Sequence, residues 1–202
     1  MVGEPLFVRA AKLTMAQVIP HTADVPPRVM PMVVNIVAFQ IGWFACVLGA
    51  AHGWLWAGPV VVAAAVMLHL LLASYPLEEL KIVAVALVIG AVWESLFLAL
   101  DLVRYPSGLL SAHLPPLWML ALWAVFATTI NVSLGWLKQR LLLAGLLGAL
   151  SGPLSYWAGA RLGALELVSP VVALLVLAVG WGLITPLLLT LARRFGSARP
   201  AP

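Results

Sequence analysis

Charge is scarce in this chain. Its 202 residues include 11 Lys and Arg and 7 Asp and Glu, so 9% are charged, against about 25% in an ordinary soluble domain. Hydrophobic residues make up 64% and mean hydropathy is +1.10. A soluble domain of this length cannot hide that much apolar surface, so the solvent for most of the chain is lipid. Cysteine is nearly absent too. Cys46 stands alone, which excludes an intrachain disulfide. The histidines, His21, His52, His69 and His113, never fall two to a helix turn. No metal-ligand spacing exists, and neither a metal nor another cofactor is expected. Basic residues come singly or in pairs without interleaved aromatics, which argues against nucleic acid as a partner.

The marks of intramembrane hydrolases are missing as well. "GALSGP" at 148–153 carries a serine, but the glycine expected before a nucleophile is misplaced. No histidine lies in the last apolar run to act as its base. No H-E-x-x-H pair, P-loop or dinucleotide fingerprint appears. "EEL" at 78–80 is a lone acidic pair at a helix start, where the dipole favours acids.

What the chain has is long apolar runs. Six windows approach the roughly 20 residues a span needs: 32–51, 55–74, 81–103, 115–136, 141–160 and 168–191. Lipid offers no partner to an open strand edge, so the expected fold is all-α, a bundle of six transmembrane helices. Residues 1–31 contain Pro20, Pro26, Pro27 and Pro31. They read as a cytoplasmic tail, disordered or forming an interfacial helix, with 32–192 the membrane domain and 193–202 a short basic tail.

Basic residues set the expected sidedness. With the N-terminus inside, the inner segments hold nine: Arg9, Lys12, Arg28, Lys81, Lys138, Arg140, Arg193, Arg194 and Arg199. The outer loops hold two, Arg104 and Arg161. Positive charge stays on the cytoplasmic side, so both termini are expected there. Trp54, Trp56 and Trp118 fall near outer boundaries and Trp136 near an inner one, as an aromatic belt would place them.

Within the spans, polar side chains are few. Glu94 and Asp101 are expected to share a face of the third window, being about 20° short of two full turns apart. Asp101 can pair with Arg104, three residues on. Glu94 has no local partner, and a charge at a span centre costs roughly 2.5–3.5 kcal/mol. It is therefore expected to face the bundle, near the midplane, relieved by protonation, by Gln40, Asn131 or Tyr156, or by Arg104, Arg161 or His69. The candidate polar cavity is Glu94, Gln40, Asn131 and Tyr156. Asn35 is a weaker member, on another face and at another depth from Gln40, and His69 is the one strongly polar side chain in the second window. In the fifth window Gly145, Gly148, Gly152 and Gly159 form a small-residue stripe for helix packing, through which oligomers could also form. "AVWESLFL" in the third window loosely matches "AVGWGLITPLLL" in the sixth. Three helices per half would make such a match an inverted repeat.

Four stretches, "NIVAFQIGWFACVLGAA" (35–51), "WESLFLALDLVRYPSG" (93–108), "PPLWMLALWAVFATTINVSLGWL" (115–137) and "GPLSYWAGARLGAL" (152–165), together resemble the DUF2878 family of bacterial integral membrane proteins. The resemblance covers about residues 30–195. Where the family pattern often has Asp in the third span, this chain has Glu94. The resemblance implies a bacterial inner-membrane location and a start near Met30, ahead of the Asn35 to Gln40 segment, but no activity. Similar proteins are encoded near lipid-modifying enzymes, which implies such an enzyme as a partner beside the bilayer itself. The leading expectation is a non-enzymatic membrane protein that binds or moves a small or lipid-like molecule. The alternatives are an intramembrane enzyme using Glu94 as acid or base on a lipid, and a purely structural assembly partner.

Overall fold

A computed structural model describes residues 29–197. The chain divides into two units, Met1–Pro31 and Met32–Pro202. The expectations for residues 1–28 and 198–202 lie outside the described residues. Six α-helices follow one another: α1 (Val29–Ala51), α2 (Ala57–Leu72), α3 (Pro76–Ala99), α4 (Leu117–Ala127), α5 (Leu141–Arg161) and α6 (Pro170–Ser197). Short strands β1 (Val103–Arg104), β2 (Leu109–Ser111), β3 (Leu114–Pro116) and β4 (Glu166–Leu167) lie in the connections, and a 3-10 helix spans Gly135–Gln139. Arg193 and Arg194, expected in a tail, belong to α6.

Each of the six windows contains a helix, but they are unequal. Segments of α1, α3, α5 and α6 are long and apolar enough to cross a membrane. α2 has 16 residues and α4 only 11, about 24 and 16 Å at 1.5 Å per residue. α4 therefore stops well before Trp136. Its last turn is consumed by two threonines: Thr128 Oγ1 donates to the Val125 carbonyl at 2.8 Å and Thr129 Oγ1 to Phe126 at 2.6 Å. Such back-bonding offers the backbone an alternative to further helix. α3 starts earlier than expected, because Pro76 fits the first helical position and Glu78 and Glu79 suit the first turn. It also ends earlier. Leu100 caps it and Asp101 takes a left-handed φ of 49°. Glu94 and Asp101 consequently do not share one helix. The helix lengths of the two halves, 23, 16 and 24 against 11, 21 and 28, do not repeat one another.

The connections sort to two ends. β1 pairs antiparallel with β4, Val103 opposite Leu167 and Arg104 opposite Glu166. Gly108 sits on Leu55, so the α1–α2, α3–α4 and α5–α6 connections share one end. At the other, His69 near the end of α2 meets Glu79 in α3, and Arg193 of α6 donates to the Lys138 carbonyl at 3.3 Å.

Packing is close and uses glycines as sockets for indole rings. A Cβ on Gly90 would lie 2.3 Å from the Trp123 ring, on Gly152 2.3 Å from Trp181, and on Gly180 2.0 Å from Trp93. The outer faces of the helices are aliphatic, with Leu142, Leu71 and Val171 all more than 70% exposed. Trp54 and Trp56 stand exposed at the α1–α2 turn and Trp136 is half exposed, whereas Trp118 is a correction to the belt reading. It is buried, edge-on to Tyr105 at 5.6 Å.

Candidate functional site

Glu94 is fully buried on α3, on the inward face the sequence demanded. It lies roughly 10 Å past the helix midpoint toward the β1 end, given the observed bounds. Three neutral donors converge on its carboxyl. Tyr105 Oη donates to Oε2 at 2.6 Å, Trp123 Nε1 to Oε1 at 3.0 Å, and the Tyr156 hydroxyl also to Oε1. A strand-linked loop, α4 and α5 are thereby fastened to α3. The turn at Asp101 folds the chain back so that Tyr105 reaches down to Glu94.

Of the expected cavity, only Glu94 and Tyr156 are hydrogen-bonded together. Asn131 and Gln40 are not among the partners of Glu94. Asn131 lies at the opposite end, where its Nδ2 donates to Glu79 Oε1 at 2.9 Å and its Oδ1 accepts from Lys138 Nζ at 2.5 Å. His69 Nε2 meets Glu79 Oε2 at 3.1 Å, so His69, Glu79, Asn131 and Lys138 form a second, half-buried polar chain. Asn35 is buried in a third group: its Nδ2 bonds the Thr128 carbonyl at 3.2 Å and its Oδ1 accepts from Ser133. Gln40 is exposed on α1. Asp101 and Arg104 form the expected pair, two-pronged at 3.1 and 2.9 Å and open to solvent. The hydrogen bonds and charge of Asp101 hold the Arg104 guanidinium above its usual range.

Gly145, Gly148 and Gly152 lie against α6. A Cβ on Gly148 would be 2.4 Å from the Trp181 carbonyl oxygen, and one on Gly145 3.0 Å from that of Gly182. Pro186 has no N–H to offer the Gly182 carbonyl four residues back, and Gly145 leaves room for it. Gly159 stands apart, beside Leu165 of the α5–β4 connection at an ordinary 3.5 Å. This face of α5 is thus covered within the chain.

Among the described residues a cleft of about 530 Å³ lies between α1 and α5, floored by α4 and Trp181. Its aromatic lining comes from Phe39 and Trp43 of α1, Trp118, Trp123 and Phe126 of α4, Tyr156 of α5 and Trp181 of α6. Trp123 and Trp181 stack at 4.9 Å and 18° to form a flat floor. Gln40, Thr129, Ser133, Ser151 and Ser155 supply further polar atoms. One hydrogen bond joins the two walls, Trp43 Nε1 to Ser155 Oγ at 2.8 Å. The rim carries Ile36 and Leu154, both exposed. Glu94 does not line the cleft. It stands behind the wall and holds two residues that do, Trp123 and Tyr156.

Sequence reasoning missed the partners Tyr105 and Trp123, the acid Glu79 as the hub of the second polar chain, and the Trp43–Ser155 contact. One signal was available. Gly90 lies four residues before Glu94 on the same face, a gap that admits a large ring bearing an N–H. Among the described residues no group of three or more His, Cys, Asp or Glu is arranged to hold a metal ion.

Four helices long and apolar enough to cross a bilayer, with aliphatic outer faces and charges gathered inward or at the ends, put the chain in the class of helical membrane proteins. It belongs to the family described as "Protein of unknown function (DUF2878)", whose model matches residues 32–187. No curated protein and no solved structure matches the chain.

Proposed function

We propose that this is an inner-membrane protein with both termini in the cytoplasm, and that it binds one lipid-like molecule in the cleft between α1 and α5. The observation that carries the reading is the cleft itself. Its volume of about 530 Å³ falls within the 300–1,000 Å³ or so usual for ligand sites, which are likewise mostly apolar with a few placed polar groups. Its rim is continuous with the aliphatic faces of α1 and α5, so a lipid can enter sideways from the bilayer without crossing water. Glu94 serves the cleft indirectly, as a positioning residue for Trp123 and Tyr156. An acid–base role on a lipid is the weaker reading, because those two side chains stand between Glu94 and the cleft. Handing the bound molecule to a lipid-modifying enzyme is a role consistent with a binder that has no chemistry of its own.

The test is extraction of the purified full chain with organic solvent and mass spectrometry of the extract. Wild type should retain one lipid species near stoichiometric amount through washing in detergent. Ser151→Trp places an indole in the cleft from an exposed position and should lose that species while eluting as wild type does. A wild-type extract containing only bulk membrane lipids in bulk proportions would refute the reading.

A further inference from the structure

The walls of the cleft are uniform in one respect. Among the described residues lining it there is no Asp, Glu, Lys, Arg or His. Several of its polar atoms are already engaged, while the buried indole N–H groups of Trp118 and Trp181 have no hydrogen-bond partner. Thr129 bonds the Phe126 carbonyl, Ser133 bonds Asn35 and Tyr156 bonds Glu94. Ser155 accepts from Trp43, which leaves its own O–H to donate. With Ser151 and Gln40, both exposed on the two walls, the cleft offers a small set of neutral donors and acceptors. A hydroxyl or carbonyl oxygen is matched by that set. A phosphate, carboxylate or ammonium is not: it would leave water for a low-dielectric slot with no countercharge, which is strongly unfavourable.

We infer that the ligand is an uncharged long-chain amphiphile, a lipid alcohol or a carbonyl-headed lipid, and not a phospholipid, fatty-acid anion or cationic lipid. The inference rests on the lipid-binding reading of the cleft and narrows it to one class of head group. The Trp43–Ser155 bond marks where the head sits, since the free Ser155 proton is placed to donate to it.

The experiment uses three probes with the same chain and different heads: oleyl alcohol, oleate and oleyl phosphate. Each is titrated against the full-length protein in uncharged detergent, by native mass spectrometry, at a pH where oleate is ionised. Binding counts only if it is lost in Ser151→Trp or in Gln40→Trp, whichever elutes as wild type, because binding that survives a filled cleft is partition into the micelle. Oleyl alcohol is expected to bind at least about tenfold tighter than either anion, the scale set by an uncompensated charge in an apolar site. Ser155→Ala should weaken oleyl alcohol several-fold by removing the donor and leave the rejection of both anions in place. If oleate or oleyl phosphate binds as tightly as the alcohol in the cleft, the neutral-head inference is overturned while the lipid-binding reading stands. If none of the three binds in a cleft-dependent way and no lipid co-purifies, both fall.

Discussion

Glu94 shows how far a single residue can be read. Its inward orientation follows from cost alone, since a carboxyl cannot face hydrocarbon cheaply, and it is indeed fully buried. Its partners do not follow, because they depend on where α3 ends and on how the chain returns at Asp101. Misplacing that end led to Gln40 and Asn131, while Tyr105, eleven residues away, went unseen. The donor set now dictates a sharper expectation. All three neighbours donate, and the Trp123 N–H can do nothing else. Glu94→Gln keeps an acceptor oxygen for Trp123 and Tyr156 and turns its NH2 toward Tyr105, whose hydroxyl can accept, so it should cost no more than about 1 kcal/mol. Glu94→Ala strands three buried donors and should cost more, to the point of poor accumulation. Thermal unfolding of the purified protein in detergent, with Tyr105→Phe as a milder companion, checks the order. A Glu94→Ala protein that melts as wild type does would show that the three bonds are not what holds these elements together.

At the scale of elements, all six helices were legible in the apolar runs, and the places where the reading slipped have local causes. A run of apolar residues does not reveal that Thr128 and Thr129 will turn their hydroxyls onto the preceding turn and stop α4. Nor does it reveal which ring will occupy which glycine. The triplet Gly180, Trp181 and Gly182 reads as room for a ring, yet the ring on Gly180 is Trp93 of α3, and Trp181 sits on Gly152 of α5. α6 is therefore wedged between α3 and α5 by two indoles facing opposite ways. Gly180→Ala would put a methyl 2.0 Å from Trp93 Cη2, a clash that a rigid ring cannot sidestep, and should destabilise by roughly 1–3 kcal/mol. Trp93→Phe in the same chain withdraws the clashing atoms. A double-mutant cycle followed by melting midpoint should then show the pair less costly than the sum of the single changes. Strict additivity would mean that the ring and the glycine do not meet.

For the whole molecule, the contacts group the connections at two ends, and the count of basic residues is what suggests which end faces the cytoplasm. Nine basic residues against two assigned the connections to sides. The β1–β4 ladder, with the Gly108–Leu55 contact, independently gathers the three connections assigned outside at one end. The His69–Glu79–Asn131–Lys138 chain and the Arg193 bond gather the other connections and the end of α6 at the opposite one. Every one of these contacts is the same in either orientation, so sidedness has to be measured directly. Single cysteines at His113 and at Gln139, in a Cys46→Ala background, make this measurable with a membrane-impermeant thiol reagent on intact cells. Cys46 is buried, whereas both probe positions are exposed. The His113 probe should label in intact cells and the Gln139 probe only after the membrane is opened. The opposite pattern would invert the protein in the membrane and, with it, the leaflet to which Glu94 and the Tyr156 end of the cleft lie closer.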